Sequence, residues 1–373
     1  GEGQLERHFR KRRQQCRQLR AGGGIAFDAA VILLETQAVD ERNRDLKVDY
    51  LLGVSISKQF IPSIANIVGT DLSSYKIVRT GQFAYGPVTS RNGEKISIAL
   101  LQDKDCIISS SYTVFEVTDN ERLDPEYLML WFSRPEFDRY TRYMSHGSVR
   151  EIFDWDELCK VELPVPSIEK QRGIVKAYNT ITDRIELKRK INDNLEAVLA
   201  ASHSKMFFSK DTSEHSKLGE LMTFGNGKSR PKTDGPIPVY GGNGVLSYTD
   251  HHNIENAVLI GRVGAYCGSV YLEQGICWVS DNAIFAKSKI TKDEFFDYFL
   301  LKRLNLFNHH VGTGQQLLTQ EILNNIEVPK PVTEQIELFN RKAASVFETL
   351  FTNSREIIRL QELSDLLLSR LAG

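Results

Sequence analysis

The sequence lacks the excess of positive charge that marks many nucleic-acid binders: 47 Lys and Arg stand against 48 Asp and Glu, a formal net charge of −1. Any hold on a polyanion must come from local basic patches or from partners that add charge. It also lacks a disulfide framework. Its five cysteines (Cys16, Cys106, Cys159, Cys267, Cys277) are odd in number and never spaced CxxC. That is the usage of a reducing compartment, so a cytoplasmic location is expected. No hydrophobic run is long. Ile25–Leu34 is broken by Asp28 and falls far short of the roughly 20 residues that span a bilayer. It follows a basic segment, as a secretory signal would, but that segment is long and no secretory cysteine pattern follows, so neither export nor a membrane partner is expected.

Signatures of chemistry are missing too. There is no Asn-Pro-Pro-aromatic run of the kind that methylates adenine, no GxGxxG after a strand, no GxxxxGK[ST] and no HExxH. Gly241-Gly-Asn-Gly244 lacks the Lys-Ser/Thr of a phosphate loop and reads as a turn. His251-His252 and His309-His310 are adjacent rather than one helical turn apart, so no metal site is expected. No catalytic residue is assigned.

What is present is a duplication. The chain has 373 residues, 41 % apolar and 25 % charged, enough for two globular domains. Val161-Glu-Leu-Pro-Val-Pro166 followed by Glu169-Lys-Gln171 returns as Ile326-Glu-Val-Pro-Lys-Pro331 followed by Glu334-Gln335. Gly147-Ser148, Ile152-Phe153 and Leu158 precede the first; Gly312-Thr313, Leu317-Leu318 and Leu323 precede the second, each 165 residues on.

A long helical pattern follows each Pro-x-Pro. Ile174, Tyr178, Ile181, Ile185, Lys188, Asn192, Leu195, Leu199, Ser202 and Met206 alternate spacings of three and four, and Phe339, Ala343, Val346, Leu350, Asn353, Ile357, Leu360, Ser364, Leu367 and Leu371 repeat them. This is a coiled-coil seam, entered past prolines that a helix interior would reject. Each seam covers about 33 residues, or about 50 Å at 1.5 Å per residue. Run antiparallel, the two sets place Ile174 against Leu371, Ile185 against Leu360 and Asn192 against Asn353. A polar pair inside a seam fixes register.

Upstream of each helix lies a mixed α/β stretch. Ile77–Phe83 parallels Val258–Val263, and Asp105–Phe115 parallels Gly275–Phe285, both as short β-type runs. Helices are expected over Pro125–Phe132 and Lys292–Leu301. The fold class is therefore α+β: two similar α/β domains separated by two long antiparallel helices, with pseudo-two-fold symmetry. The expected divisions are 1–37, 38–165, 166–210, 211–330 and 331–373. Residues 1–37, with a dense Arg/Gln run over Arg7–Arg20, fit neither half. They read as a helix leading into the first domain, a terminus foreign to the fold, or a basic arm for phosphates.

The duplicated Pro164, Pro166, Gln171 and Pro329, Pro331, Gln335 signatures and their helices resemble the specificity (S) subunits of type I restriction–modification systems. Val39-Asp-Glu-Arg-Asn43, Leu218-Gly219-Glu220 and the Gly261–Phe285 block add to the likeness, which spans about residues 38–373. The resemblance implies two target recognition domains, each reading one half of a bipartite site in double-stranded DNA. It implies a helical spacer on which two methyltransferase (M) subunits dock, and an ATP-dependent restriction (R) subunit where one is present. S-adenosylmethionine would be bound by the methyltransferase, and no cofactor by this chain.

Base readout needs Arg or Lys for guanine and Asn or Gln for adenine, and phosphates need Lys, Arg and hydroxyls. The stretches richest in these side chains give the candidates: Arg79, Gln82, Tyr85, Thr89, Arg91, Asn92 and Lys95 in the first domain; Lys228, Arg230, Lys232, Tyr240, Asn243, Tyr248, His251, Arg262 and Tyr266 in the second. Ser148, Arg150, Gln315 and Gln316 are secondary. Two other readings remain at this point: a coiled-coil adaptor that never meets DNA, for which basic loops would be idle, and an enzyme such as a nuclease with an unrecognised site.

Overall fold

The structure is a computed structural model that describes residues 36–43, 46–63, 71–90, 92–146, 151–209, 214–312 and 314–372. The Arg-rich run Arg7–Arg20 and Cys16 lie outside them. The chain divides into two compact units: residues up to Arg184 with those from Leu360, and Ile185–Arg359. Each unit thus includes part of both long helices.

The first unit carries strands β1 (Thr36–Val39), β2 (Leu52–Val54), β3 (Phe60–Pro62), β4 (Lys76–Val78), β5 (Phe83–Tyr85), β6 (Ile98–Leu100), β7 (Cys106–Ile108) and β8 (Thr113–Val117). An antiparallel sheet runs β1-β8-β5-β6, with β2-β3 and β4-β7 as separate pairs. The β4-β7 and β5-β6 pairs belong to one interrupted ladder. Val78 opposes Cys106 and Phe83 opposes Leu100, and the Gly81 N–H donates to the Leu101 carbonyl between them.

The second unit carries β9 (His215–Lys217), β10 (Met222–Asn226), β11 (Ile237–Gly241), β12 (Gly244–Thr249), β13 (Ile254–Gly261), β14 (Val270–Val279), β15 (Ala283–Ser288) and β16 (Glu327–Pro329). Its main sheet is ordered β10-β15-β13-β14-β11-β12, and β9 pairs with β16. Here β13 and β14 are uninterrupted where the first unit breaks into β4/β5 and β6/β7. Gly241-Gly-Asn-Gly244 forms the β11–β12 turn, as expected.

The registers show that the two sheets are one design. Phe115 of β8 opposes both Ala38 and Phe83; Phe285 of β15 opposes both Gly225 and Leu259. A parallel bridge between Leu51 and Ile107 stands where β11 runs parallel to β14. Ile152 bridges Val88 and His146, and Leu317 bridges Val263 and Val311. The spacing of counterparts shrinks along the chain, from 187 (Ala38 to Gly225) through 176 (Phe83 to Leu259) and 170 (Phe115 to Phe285) to 165 (Ile152 to Leu317). The expected match of Ile77–Phe83 with Val258–Val263 is therefore displaced: Leu259 answers to Phe83, five positions further along than that match allowed. Loops of unequal length between strands cause the drift.

The first domain helix spans Pro125–Phe132 as expected. The Asp124 carboxylate caps it by accepting from the Glu126 and Tyr127 N–H groups, and proline occupies its first turn. The second spans Phe295–Arg303, starting later than expected. Phe83, Phe115 and Phe132 build the first core, with Phe83 stacked on Phe115 at 4.8 Å. Phe296, Phe299, Phe339 and Phe347 help build the second.

Ile168–Phe207 and Thr333–Ser369 are the long helices. None of the twenty seam positions is exposed: Ile185 and Asn353 are buried, and Ile181, Asn192, Leu195, Leu350, Ile357 and Leu360 half-buried. Within the second unit the Asn353 Nδ2 donates to Asn192 Oδ1 at 2.8 Å. Lys188 Nζ donates to Asn353 Oδ1 at 2.9 Å and pairs with Glu356 at 2.8 Å. Partners descend on one helix as they ascend on the other, so the helices run antiparallel in the expected register. Within the first unit Leu368 and Leu371 join a cluster with Ile174, Val175 and Tyr178.

Each long helix also clamps its domain helix with one buried amide. Gln171 accepts from the Asp124 N–H at 2.9 Å and donates to the Arg122 and Pro166 carbonyls at 2.9 and 2.8 Å. Its counterpart in action is Asn340, which accepts from the Phe296 N–H and donates to Thr291 Oγ1 and the Asp293 carbonyl, each at 2.9 Å. Gln335, quoted in the duplicated signature, is exposed. The clamp has moved along the helix, and residue type has changed with it.

Candidate nucleic-acid interface

In the first unit the candidates divide between surface and core. Arg79 is half exposed and ion-paired with Glu41 at 2.9 Å and Asp105 at 3.5 Å. Gln82 is buried; it donates to Glu116 and accepts from the Arg79 N–H. Tyr85 is fully buried on β5, edge-on to Phe115, and burial pushes its hydroxyl pKa up. Thr89 is buried as well, its hydroxyl donating to Ser145 Oγ at 2.9 Å and the Glu151 carbonyl at 3.2 Å. Gln82, Tyr85 and Thr89 thus spend their polar or aromatic groups inside the domain. β5 is buried at each of its positions, and Gln82 and Thr89 flank it in the same interior stretch, which a polar-rich run of sequence does not reveal.

The surface belongs to the segment after Thr89. Ser90 and Lys95 are exposed and Asn92 half-buried. Arg91, like Ser148 and Arg150, lies outside the described residues. This loop is tied at both ends. The Thr89 N–H donates to the Glu151 carbonyl, and the Ile96 N–H donates to Asp138 Oδ1 at 3.2 Å. Asp138 also pairs with Lys58 of the β2–β3 tip at 2.8 Å. Burial depresses the Lys58 pKa, and its bond to Asp138 opposes that shift. Sequence reading missed this pair: a lysine in a hairpin tip and an aspartate in a helix carry no signal until folding brings them together.

In the second unit the candidates converge on the turn between β14 and β15. The Lys228 N–H donates to the Val279 carbonyl, the Arg262 N–H to Asn282, the Gly227 N–H to Ala283, and the Ser280 N–H to Tyr240. Gly227 permits this approach, since a Cβ there would overlap the Ser280 carbonyl. Lys228, Arg230 and Lys232 are exposed and make no ion pair among the described residues. Their loop is fixed at its far end by Thr233, whose hydroxyl bonds Thr249 and Asp250. His251 beside it is exposed, 3.3 Å from Asp250.

Asn243 is exposed in the β11–β12 turn, and Tyr248 and Tyr266 stand 56 % and 52 % exposed. Arg262 is half-buried beside the β14–β15 turn, where its N–H donates to the Asn282 carbonyl. Tyr240 is half-buried; its hydroxyl donates to Glu273 at 3.0 Å, and burial followed by that carboxylate raises its pKa. Gln316 receives the Gly264 N–H on its carbonyl, and Gln315 is exposed. The second face thus combines unpaired cations, aromatic rings and amides, the set that phosphate and base-edge contacts need. Among the described residues no three His, Cys, Asp or Glu side chains gather as a metal would require. Among the described residues no helix is long and apolar enough to cross a membrane.

The sequence model of the type I restriction modification DNA specificity domain matches twice, over residues 64–197 and 210–366. The type I restriction enzyme MjaIX specificity subunit of Methanocaldococcus jannaschii is 21 % identical over 296 residues, 66 % of this chain and 68 % of that protein. The HindI specificity subunit of Haemophilus influenzae is 25 % identical over 154 residues, 40 % of this chain but only 32 % of that protein. The S subunit of the type I restriction–modification system from M. genitalium superposes with a TM-score of 0.58 at 16 % identity, covering 94 % of this chain and 98 % of that one. It shares the fold.

Proposed function

The chain belongs to the type I restriction–modification DNA specificity family, and we propose that it reads a bipartite site in double-stranded DNA and directs adenine methylation there by partner subunits. Each sheet domain serves as a target recognition domain for one half-site. The antiparallel helices serve as the spacer that sets the gap between half-sites and as the platform for two methyltransferase subunits. Those subunits supply S-adenosylmethionine and the catalytic residues, and a restriction subunit, where present, adds ATP-driven cleavage. This chain acts without catalysis, in the cytoplasm.

The observation that carries the reading is the duplicated sheet register, closed in each half by the same bridge (Val88–Ile152, Val263–Leu317) and followed by matched helices that meet at Asn192 and Asn353. Two equivalent reading heads suit a site with two parts. The test is methylome sequencing of a host with and without this protein. A split adenine-methylated motif should vanish on deletion; an unchanged methylome would overturn the proposal.

A further inference from the structure

The Lys58–Asp138 ion pair is the most buried charge pair in the first unit's described residues, with side chains 9 % and 12 % exposed. Burying two charges carries a desolvation cost, and breaking such a pair strands the survivor. Three separate segments meet on it. Lys58 sits at the β2–β3 tip in the left-handed conformation (φ 62°), which places its ammonium against Asp138 and the Phe132 carbonyl, over the Phe137 ring at 5.8 Å. Asp138 comes from helix Pro135–Tyr143 and takes the Ile96 N–H. Ile96 ends the loop that begins at Thr89. The pair therefore locks that loop to the outer hairpin through a single carboxylate.

The second unit holds the equivalent loop by other means. Gly268, at φ 83°, ends the loop after Val263, and a Cβ there would overlap the Phe307 backbone. One unit uses charge and the other uses close backbone approach to seat the same loop.

Resting on the DNA-reading function above, we propose that Asp138 and Lys58 are positioning residues for sequence discrimination by the first domain: they touch no base but hold the Asn92–Ile96 arm of the loop in the geometry that reads one half-site. Asp138→Asn keeps an acceptor for the Ile96 N–H and removes the charge. Lys58→Met keeps the stem over Phe137 and removes the ammonium. The double variant leaves no charge stranded, so its folding is protected, while the tie between hairpin and loop is gone.

The experiment measures binding of the full chain, assembled with its methyltransferase subunits, to duplexes carrying the motif found by methylome comparison and to duplexes with either half scrambled. Wild type should lose affinity for both scrambled duplexes. The double variant should discriminate at one half roughly tenfold less well, about the worth of one mismatched base pair, and unchanged at the other. Gly268→Ala should weaken the opposite half. A merely structural role would lower the amount of folded complex or its melting temperature, without a half-specific change. Wild type that ignores sequence overturns the functional reading and this one with it. Wild type that discriminates, with a double variant that discriminates equally well or loses both halves alike, overturns the positioning role only.

Discussion

The two sheet domains share their ladders and differ in what they do with charge. After β10 the second carries Lys228, Arg230 and Lys232 on the surface, with no acid among the described residues in contact. After the equivalent β1 the first carries Asp40, Glu41 and Arg42. There Arg42 pairs with Asp40 at 3.3 Å and Glu41 takes Arg79. The buried acids differ as well. Asp138 in the first unit is matched by Lys58, whereas Asp297 in the second is fully buried, and burial outweighs the nearby Ser288 hydroxyl to push its pKa up to about 7. A backbone frame can thus be kept while loops and buried groups around it are rewritten, which is what two reading heads for different half-sites would require.

Acid titration should separate the two units most sharply. An unfolded carboxyl ionises near 3.8, and folded Asp297 near 7. Between these values the native state holds the extra proton, so stability falls as pH rises from about 4 to 7 and is level above that. At about 1.4 kcal/mol per pKa unit, Asp297→Asn should be more stable than wild type by about 4 kcal/mol at pH 8 and about equal near pH 4. Hydrogen exchange along Phe295–Arg303 reads this directly. An equal gain at both pH values would show that ionisation of Asp297 is not the cause, and with it would go this contrast between units.

The amide clamps should instead behave alike. Gln171→Leu strands the Asp124 N–H and two carbonyls, and Asn340→Leu strands the Phe296 N–H with the Thr291 hydroxyl and Asp293 carbonyl. Each should cost about 3 kcal/mol, felt in its own unit, because buried polar groups left unsatisfied forfeit their solvation. Unit-resolved exchange in urea would test it. A loss confined to one variant would mean that the shifted clamp is not a functional equivalent.

That clamp also marks where sequence reading stopped. The fixed spacing of 165 residues held from the Ile152 and Leu317 bridges to the helix ends, because helices and their Pro-x-Pro starts tolerate no insertions without losing the seam. The helix register and the antiparallel Asn192–Asn353 meeting were legible for that reason, and Pro125–Phe132 by its own Asp124 cap and leading proline. Upstream, loops changed length, so Val78 was matched where Phe83 belongs. Function moved from a glutamine to an asparagine on a later turn of the helix, beyond any fixed offset. Among the site residues the exposed lysines were legible as a run without acids. Tyr85, Gln82 and Thr89 were not, since polarity in a loop-rich stretch does not say which side chains the fold turns inward.

The smallest effects test the charge contrast itself. Replacing Lys228, Arg230 and Lys232 together by Ala should flatten the slope of log affinity against log salt by up to about 3, one for each phosphate neutralised. Arg79→Ala should change it by about zero, because Glu41 and Asp105 already hold that guanidinium, and an exposed ion pair contributes about 0–1 kcal/mol to folding. The informative partner is Glu41→Gln. It removes one of the two acids on Arg79 and leaves a side chain of the same shape. If Arg79 faces the DNA, the slope should steepen by up to about 1. A slope unchanged by Glu41→Gln would place Arg79 away from the phosphates and leave the first domain's contact to the Thr89–Ile96 loop. A slope flattened by Arg79→Ala alone would show that the acids do not neutralise it, and the difference in charge between the two domains would then lie in their sequences but not in their binding.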